Sequence, residues 1–153
     1  MAVPMNEPSF STGFLAWQFS QAMAGRLEKE LRTLDLTLAQ HNALQHVRHE
    51  PGTSSAAAAR RAGITAQSMG AAINGLAERG LMERRPHPTN RRVLCLYITD
   101  DGRRMAERSA RIVHRMNDEV LAVLSPEERA TTHDVLRRLV EHVNPGVLPP
   151  PSD

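Results

Sequence analysis

The stretch 64-ITAQSMGAAINGLAERG-80, continued by 81-LMERRPHPTNRRVLCLYI-98, decides how the chain reads. Thr65 is a favourable N-cap, because its hydroxyl can accept from the free N–H groups of a first helical turn. Beyond it Met69, Ala72, Ile73 and Leu76 recur at helical spacing and make one apolar stripe. Arg79 and Gly80 suit a helix C-terminus, one by charge and the other by tolerance of a left-handed backbone. The opposite face carries Ala66, Gln67, Gly70, Ala71 and Asn74, which are small or amide residues. Such a face lets base edges come close and offers a few donors and acceptors. Taken alone, an amphipathic helix of this kind fits an ordinary protein surface equally well.

The flanking residues decide between these readings. Residues 53–62, TSSAAAARRA, form a short helical segment with a Thr/Ser start, and Gly63 makes the turn. Helix, glycine-containing turn and second helix is the helix-turn-helix arrangement. Residues 81–85 and 93–98 are strand-like, the second with Val93, Cys95 and Tyr97 alternating with Leu94, Leu96 and Ile98. The loop 86-PHPTN-90 joins them, since its prolines cannot continue a ladder. Arg84, Arg85, Arg91 and Arg92 cluster on this hairpin, or wing. Residues 60–104 hold nine of the 19 basic and four of the 17 acidic residues, a local charge of +5, leaving −3 elsewhere. Positive charge thus gathers where phosphate would be met.

Working outward, residues 1–9 read as a flexible N-terminal arm. A helix over 11–34 carries Leu15, Phe19, Met23, Leu27, Leu31 and Leu34 as a stripe too long for a small body to cover. Thr37 caps a helix over 38–49. Thr99 caps another, to about residue 124, with Asp100 and Asp101 complementing its dipole. Met105, Ile112, Met116, Val120 and Val123 form its stripe, with polar Ser109 on the same line. Ser125 to Glu128 is a capping box with proline at the first helical position. The last helix presents Val135, Leu136, Leu139, Val140 and Val143. The domain reading is therefore arm 1–9, dimerisation helix 10–35, winged helix-turn-helix module 36–102, dimerisation helices 103–143 and disordered tail 144–153. The fold class is mainly α with a small β-hairpin. The terminal stripes call for a second copy in a two-fold dimer.

Cys95 is the one cysteine, which excludes an intrachain disulfide and fits a reducing compartment. There is no 18-residue apolar run, and the N-terminal residues lack the pattern of a signal peptide, so a cytoplasmic location is expected. No Ser/His/Asp spacing, phosphate loop or carboxylate pair suggests an enzyme, and no cofactor motif is found. His41, His46 and His49 lack the clean i, i+4 spacing of a helical metal site, and His46 and His49 read as solvated. Cys95 reads as a buried, inert thiol.

The run ARRAGITAQSM…INGLAERGLMERRPHPTNRRVLCLYITDDGRR, with its L-x-x-R-G-L-x-E-R link and T-x-x-G helix start, closely resembles the MarR family of winged helix-turn-helix regulators, as does LSPEE at 124–128. The resemblance spans residues 37–143. It implies a homodimeric, sequence-specific regulator, in most members a repressor, whose hold on a pseudo-palindromic operator is lowered by a small molecule, a metal or oxidation. By position it implies that Thr65, Gln67, Ser68, Gly70, Ala71 and Asn74 meet the major groove, and that Arg91 and Arg92 meet the minor groove from the wing tip. Asn90 stands where the family usually has an Asp that orients the wing Arg. Gly70 and Ala71 stand where polar or basic residues are common. Trp17, His41, Arg111 and His114 are the candidates for lining an effector pocket between module and dimer helices. His41 and His114 make a partial match to zinc-sensing relatives, so a zinc-responsive regulator is an alternative. A helical adaptor using the basic hairpin against an acidic partner is another.

Overall fold

The computed structural model describes residues 11–148. The proposed arm and the last five residues of the proposed tail lie outside them. Six helices and one hairpin follow in order: α1 Thr12–Leu31, α2 Leu38–His49, α3 Ser55–Ala62, α4 Ala66–Glu78, β1 Met82–Pro86, β2 Leu94–Ile98, α5 Asp100–Val120 and α6 Pro126–Val143. The expected architecture, mainly helical with a small wing, is what forms.

Side-chain caps set the helix starts. Ser11, Thr37, Ser54, Thr65, Thr99 and Ser125 each accept from a backbone N–H one turn on. Ser125 closes its box with Glu128 as expected, and Thr37 closes a second with Gln40. Several boundaries differ from the sequence reading. The first helix is α-helical only to Leu31 and tightens to a 3-10 turn over Arg32–Leu34, ending at left-handed Asp35. The fifth ends at Val120, and a 3-10 turn over Leu121–Val123 leaves Val123 exposed rather than on the stripe. α3 starts two residues late, because Thr53 is drawn onto β2: the Leu96 N–H donates to Thr53 O at 2.9 Å, and the Gly52 N–H to Leu96 O at 2.8 Å. That third segment covers β2, so Cys95 and Leu96 are both buried and the expected alternation is lost. Pro86 is the last residue of β1, opposite Leu94, rather than the first of the loop. Residues 144–148, assigned to the tail, form a turn closed by Gly146 N to Glu141 Oε1 at 2.9 Å.

The core lies within the winged module. Leu44, Val47, Met69, Ile73, Leu76 and Leu96 are essentially inaccessible, and Leu31 enters from the end of α1. Met69, Ala72, Ile73 and Leu76 are the buried face of α4, as the stripe requires. The α1 stripe divides. Leu27 and Leu31 pack into this core, whereas Leu15 and Phe19 face outward. In α6 no residue is buried, and Val135, Leu136, Leu139, Val140 and Val143 all remain exposed. Arg26 pairs with Glu119, and Arg115 with Glu30 at 2.9 Å, which ties α1 across α5.

One glycine is fixed by close approach. A Cβ on Gly102 would stand 1.9 Å from the Leu81 carbonyl oxygen and 2.8 Å from an Ile98 side-chain carbon. Thr99 sits beside it, accepting from Gly102 N at 3.0 Å while donating to Gly80 O at 2.7 Å. The start of α5 is thereby locked onto the link between α4 and the wing.

Candidate nucleic-acid interface

α4 is held by its apolar face, and its other face is open. Thr65, Gln67, Ser68, Ala71 and Asn74 are exposed and Gly70 is half-buried. Gly63 (φ 65°) turns the chain between α3 and α4, and Gly80 (φ 68°) turns it out of α4. Thr65 and Ser68 also bond side chain to side chain at 2.9 Å, so the first turn carries a small hydroxyl pair. A Cβ on Gly70 would meet nothing within 4 Å, leaving a shallow place in the middle of the face.

The hairpin arginines separate by strand alternation. Arg84 reaches α4, and its guanidinium donates to Asn74 Oδ1. Arg85 turns the other way, pairing with Glu83 at 2.8 Å and lying 4.7 Å from the centre of the Tyr97 ring. At the tip, His87 N donates to Val93 O and Val93 N to Asn90 O, closing the loop. The Asn90 amide oxygen accepts from the backbone N–H of Arg92 at 3.2 Å. It shapes the turn through the backbone, and no hydrogen bond from Asn90 to the Arg92 guanidinium is seen among the described residues. Arg91 and Arg92 are exposed.

Arg79, read from sequence as a charge at a helix end, does more. It donates to Asp35 O at 2.6 Å and Leu34 O at 3.3 Å, satisfying carbonyls at the break between α1 and α2. The C-terminal end of α4 is thereby braced against the break that follows α1.

The four pocket candidates do not converge within the chain. His41 is buried on α2, and its Nδ1 lies 3.0 Å from Ser109 Oγ on α5. Gln45, one turn on, donates to Ala106 O at 2.7 Å and Ser109 Oγ at 3.3 Å. Ser109, which interrupts the α5 stripe, is thus the far side of a small polar seam. Arg111 and His114 are exposed, and at 100° per residue they lie about 200° and 140° around α5 from Ser109. Trp17 is 55% exposed on α1 and tilts against Phe14. No hydrogen bond joins any two of the four among the described residues. His46 is not solvated as expected: its side chain is 12% exposed and approaches Glu50 and Thr53. Among the described residues no group of three or more His, Cys, Asp or Glu is placed to hold a metal ion. Cys95 is buried, and no described helix is long and apolar enough to cross a membrane.

Burial holds the His41 imidazole pKa below its ordinary value of 6.5. The fold therefore favours the neutral ring. Its contribution to stability is complete above about pH 6.5 and is lost as pH falls from there toward the lowered folded value. His46 shifts the same way, by burial first, with Glu50 opposing and Arg61 and His49 reinforcing. Urea midpoints measured from pH 8 to pH 5 are expected to decline, and His41→Gln is expected to flatten part of that decline. An unchanged profile in the variant would remove His41 as a contributor.

The MarR family model matches residues 34–93, which run from the end of α1 through the wing tip. Over these residues the chain carries a MarR family segment. A Thauera aromatica protein, described as a transcriptional regulatory protein for the hcr operon, is 35% identical over 96 residues, 63% of this chain; the chain spans 58% of that relative's length. An HTH-type transcriptional repressor of Mycobacterium tuberculosis is 28% identical over 127 residues, 83% of this chain and 91% of the relative. A solved MarR family protein of that organism, in complex with salicylic acid, superposes with a TM-score of 0.73 at 28% identity, covering 84% of this chain and 96% of the other. The repressor CouR, solved on a 23-mer DNA duplex, matches with a TM-score of 0.79 at 25% identity over 92% of this chain and 99% of its own. At 92% of this chain, the CouR match extends well beyond the winged module.

Proposed function

We propose that this chain is a homodimeric repressor of the MarR family that reads a pseudo-palindromic operator and releases it when a small molecule binds. The observation that carries this is the pairing of an open α4 face and exposed wing arginines with apolar surface on α1 and α6 that a single chain leaves uncovered. α4 enters the major groove with Gln67, Ser68 and Asn74 as polar contacts and with Gly70 and Ala71 admitting thymine methyls. Arg91 and Arg92 reach the adjacent minor groove. A dimer sets two such heads roughly 34–36 Å apart, one DNA turn.

The effector reading is supported by the salicylic acid complex of the mycobacterial neighbour. His41 is the pocket candidate best placed, at the seam where α2 of the module meets α5. Any effector must bind the two separations of the heads with different affinity. Salicylate is the first probe, and weakened operator binding in its presence is the expected result. The test of the DNA-contact reading is Arg92→Ala. Operator affinity is expected to fall by ~1–3 kcal/mol, and unchanged affinity at physiological salt would take Arg92 out of the interface.

A further inference from the structure

Arg84 was read only as part of the basic cluster on the wing, yet it is joined to Asn74, one of the residues expected to meet the major groove. Its guanidinium donates to Asn74 Oδ1 from β1 to α4. A guanidinium has five N–H donors and no acceptor, so the amide must turn its oxygen toward Arg84 and its NH2 group away. Both side chains are exposed. Gln67, Ala71 and Asn74 follow at i, i+4 and i+7, on one face of α4, and the open position at Gly70 leaves room for a base edge to come close.

We propose that Arg84 and Asn74 act as one donor-only unit that selects guanine over adenine at one position of each half-site. A free asparagine pairs with adenine by accepting from N6 and donating to N7. Here the accepting oxygen is already engaged, and a positive charge stands where the adenine amine would bring its own hydrogens. What remains outward is the amide NH2 and the spare guanidinium N–H groups, all donors. Guanine offers N7 and O6 in the major groove, both acceptors. The unit therefore matches guanine, and Arg84 determines specificity partly through the way it turns Asn74. This inference rests on α4 being the DNA-reading helix.

The experiment selects duplexes from a random pool with the full-length wild-type protein and with Arg84→Met, which keeps length and removes the donors. Wild type is expected to enrich G·C at one position per half-site. In Arg84→Met the freed amide oxygen is expected to shift that position toward A·T, with the guanine-over-adenine preference changing about five- to 150-fold, the discrimination of a bidentate base contact, and other positions unmoved. Arg84→Lys is expected to retain guanine with reduced discrimination. If Arg84→Met weakens binding to every duplex alike and leaves the base preference intact, Arg84 is a phosphate contact and the unit is overturned. If wild type itself enriches no sequence, the reading of α4 fails, and the unit with it.

Discussion

A Leu139→Glu variant is expected to sediment as a monomer and to lose tight operator binding. Leu139 is 47% exposed in the protomer and lies in the middle of the α6 stripe with Val135, Leu136, Val140 and Val143. A glutamate there costs the isolated protomer little. Buried against a partner, it would place an unpaired charge in apolar surroundings, which association cannot accommodate. Two linked heads bind more tightly than one because the second contact is made at high effective concentration, so loss of the dimer is expected to lower operator affinity about 10²–10⁴-fold. Leu15→Glu, at the outward end of the α1 stripe, is expected to act in the same direction. Far-UV circular dichroism should show the helices retained in both. A Leu139→Glu protein that sediments as a normal dimer would show that α6 is not where the copies meet.

The second large effect is on stability. Gly102→Ala adds one methyl at a place where the nearest atom is the Leu81 carbonyl oxygen at 1.9 Å, a backbone atom at the entrance to the wing. No rotamer change relieves that contact, so α5 must move away from β1 or its first turn must open. A cost near the upper end of the overpacking range, about 3 kcal/mol, is expected. For a chain of this length that corresponds to a melting temperature lower by roughly 6–12 °C. Gly70→Ala is the internal comparison, because its Cβ meets nothing within 4 Å. There the gain in helix propensity, about 1 kcal/mol, is expected to stabilise the protein while filling the open place on the reading face. A Gly102→Ala protein that melts with wild type would contradict the close approach.

Local chemistry made much of this fold legible in the sequence. Thr65, Thr99 and Ser125 marked helix starts because capping depends on residues three apart, and the α4 stripe named its own buried face. What was hidden depends on residues far apart in the chain. The polar seam joins His41 to Ser109 across 68 positions, and only the structure shows that a serine on an apolar stripe meets a histidine and a glutamine. The strand alternation failed at Cys95 and Leu96 because residues 52–54 return to pair with β2. The α1 stripe was continuous in sequence but serves two surfaces, one inside the protomer and one outside. At the proposed DNA face, the open side of α4 was readable from Gln67, Gly70, Ala71 and Asn74. The engagement of Asn74 by Arg84, and the brace that Arg79 makes to the α1–α2 break, were not, since neither leaves a periodic trace.

The most direct test of the dimeric reader is the spacing of the sites it selects. Duplexes recovered from a random pool at several salt concentrations are expected to contain two inverted half-sites centred about one helical turn apart, with affinity falling steeply as salt rises. Recovery of sequence-blind, salt-labile binding, or of single half-sites with no fixed partner, would contradict the account.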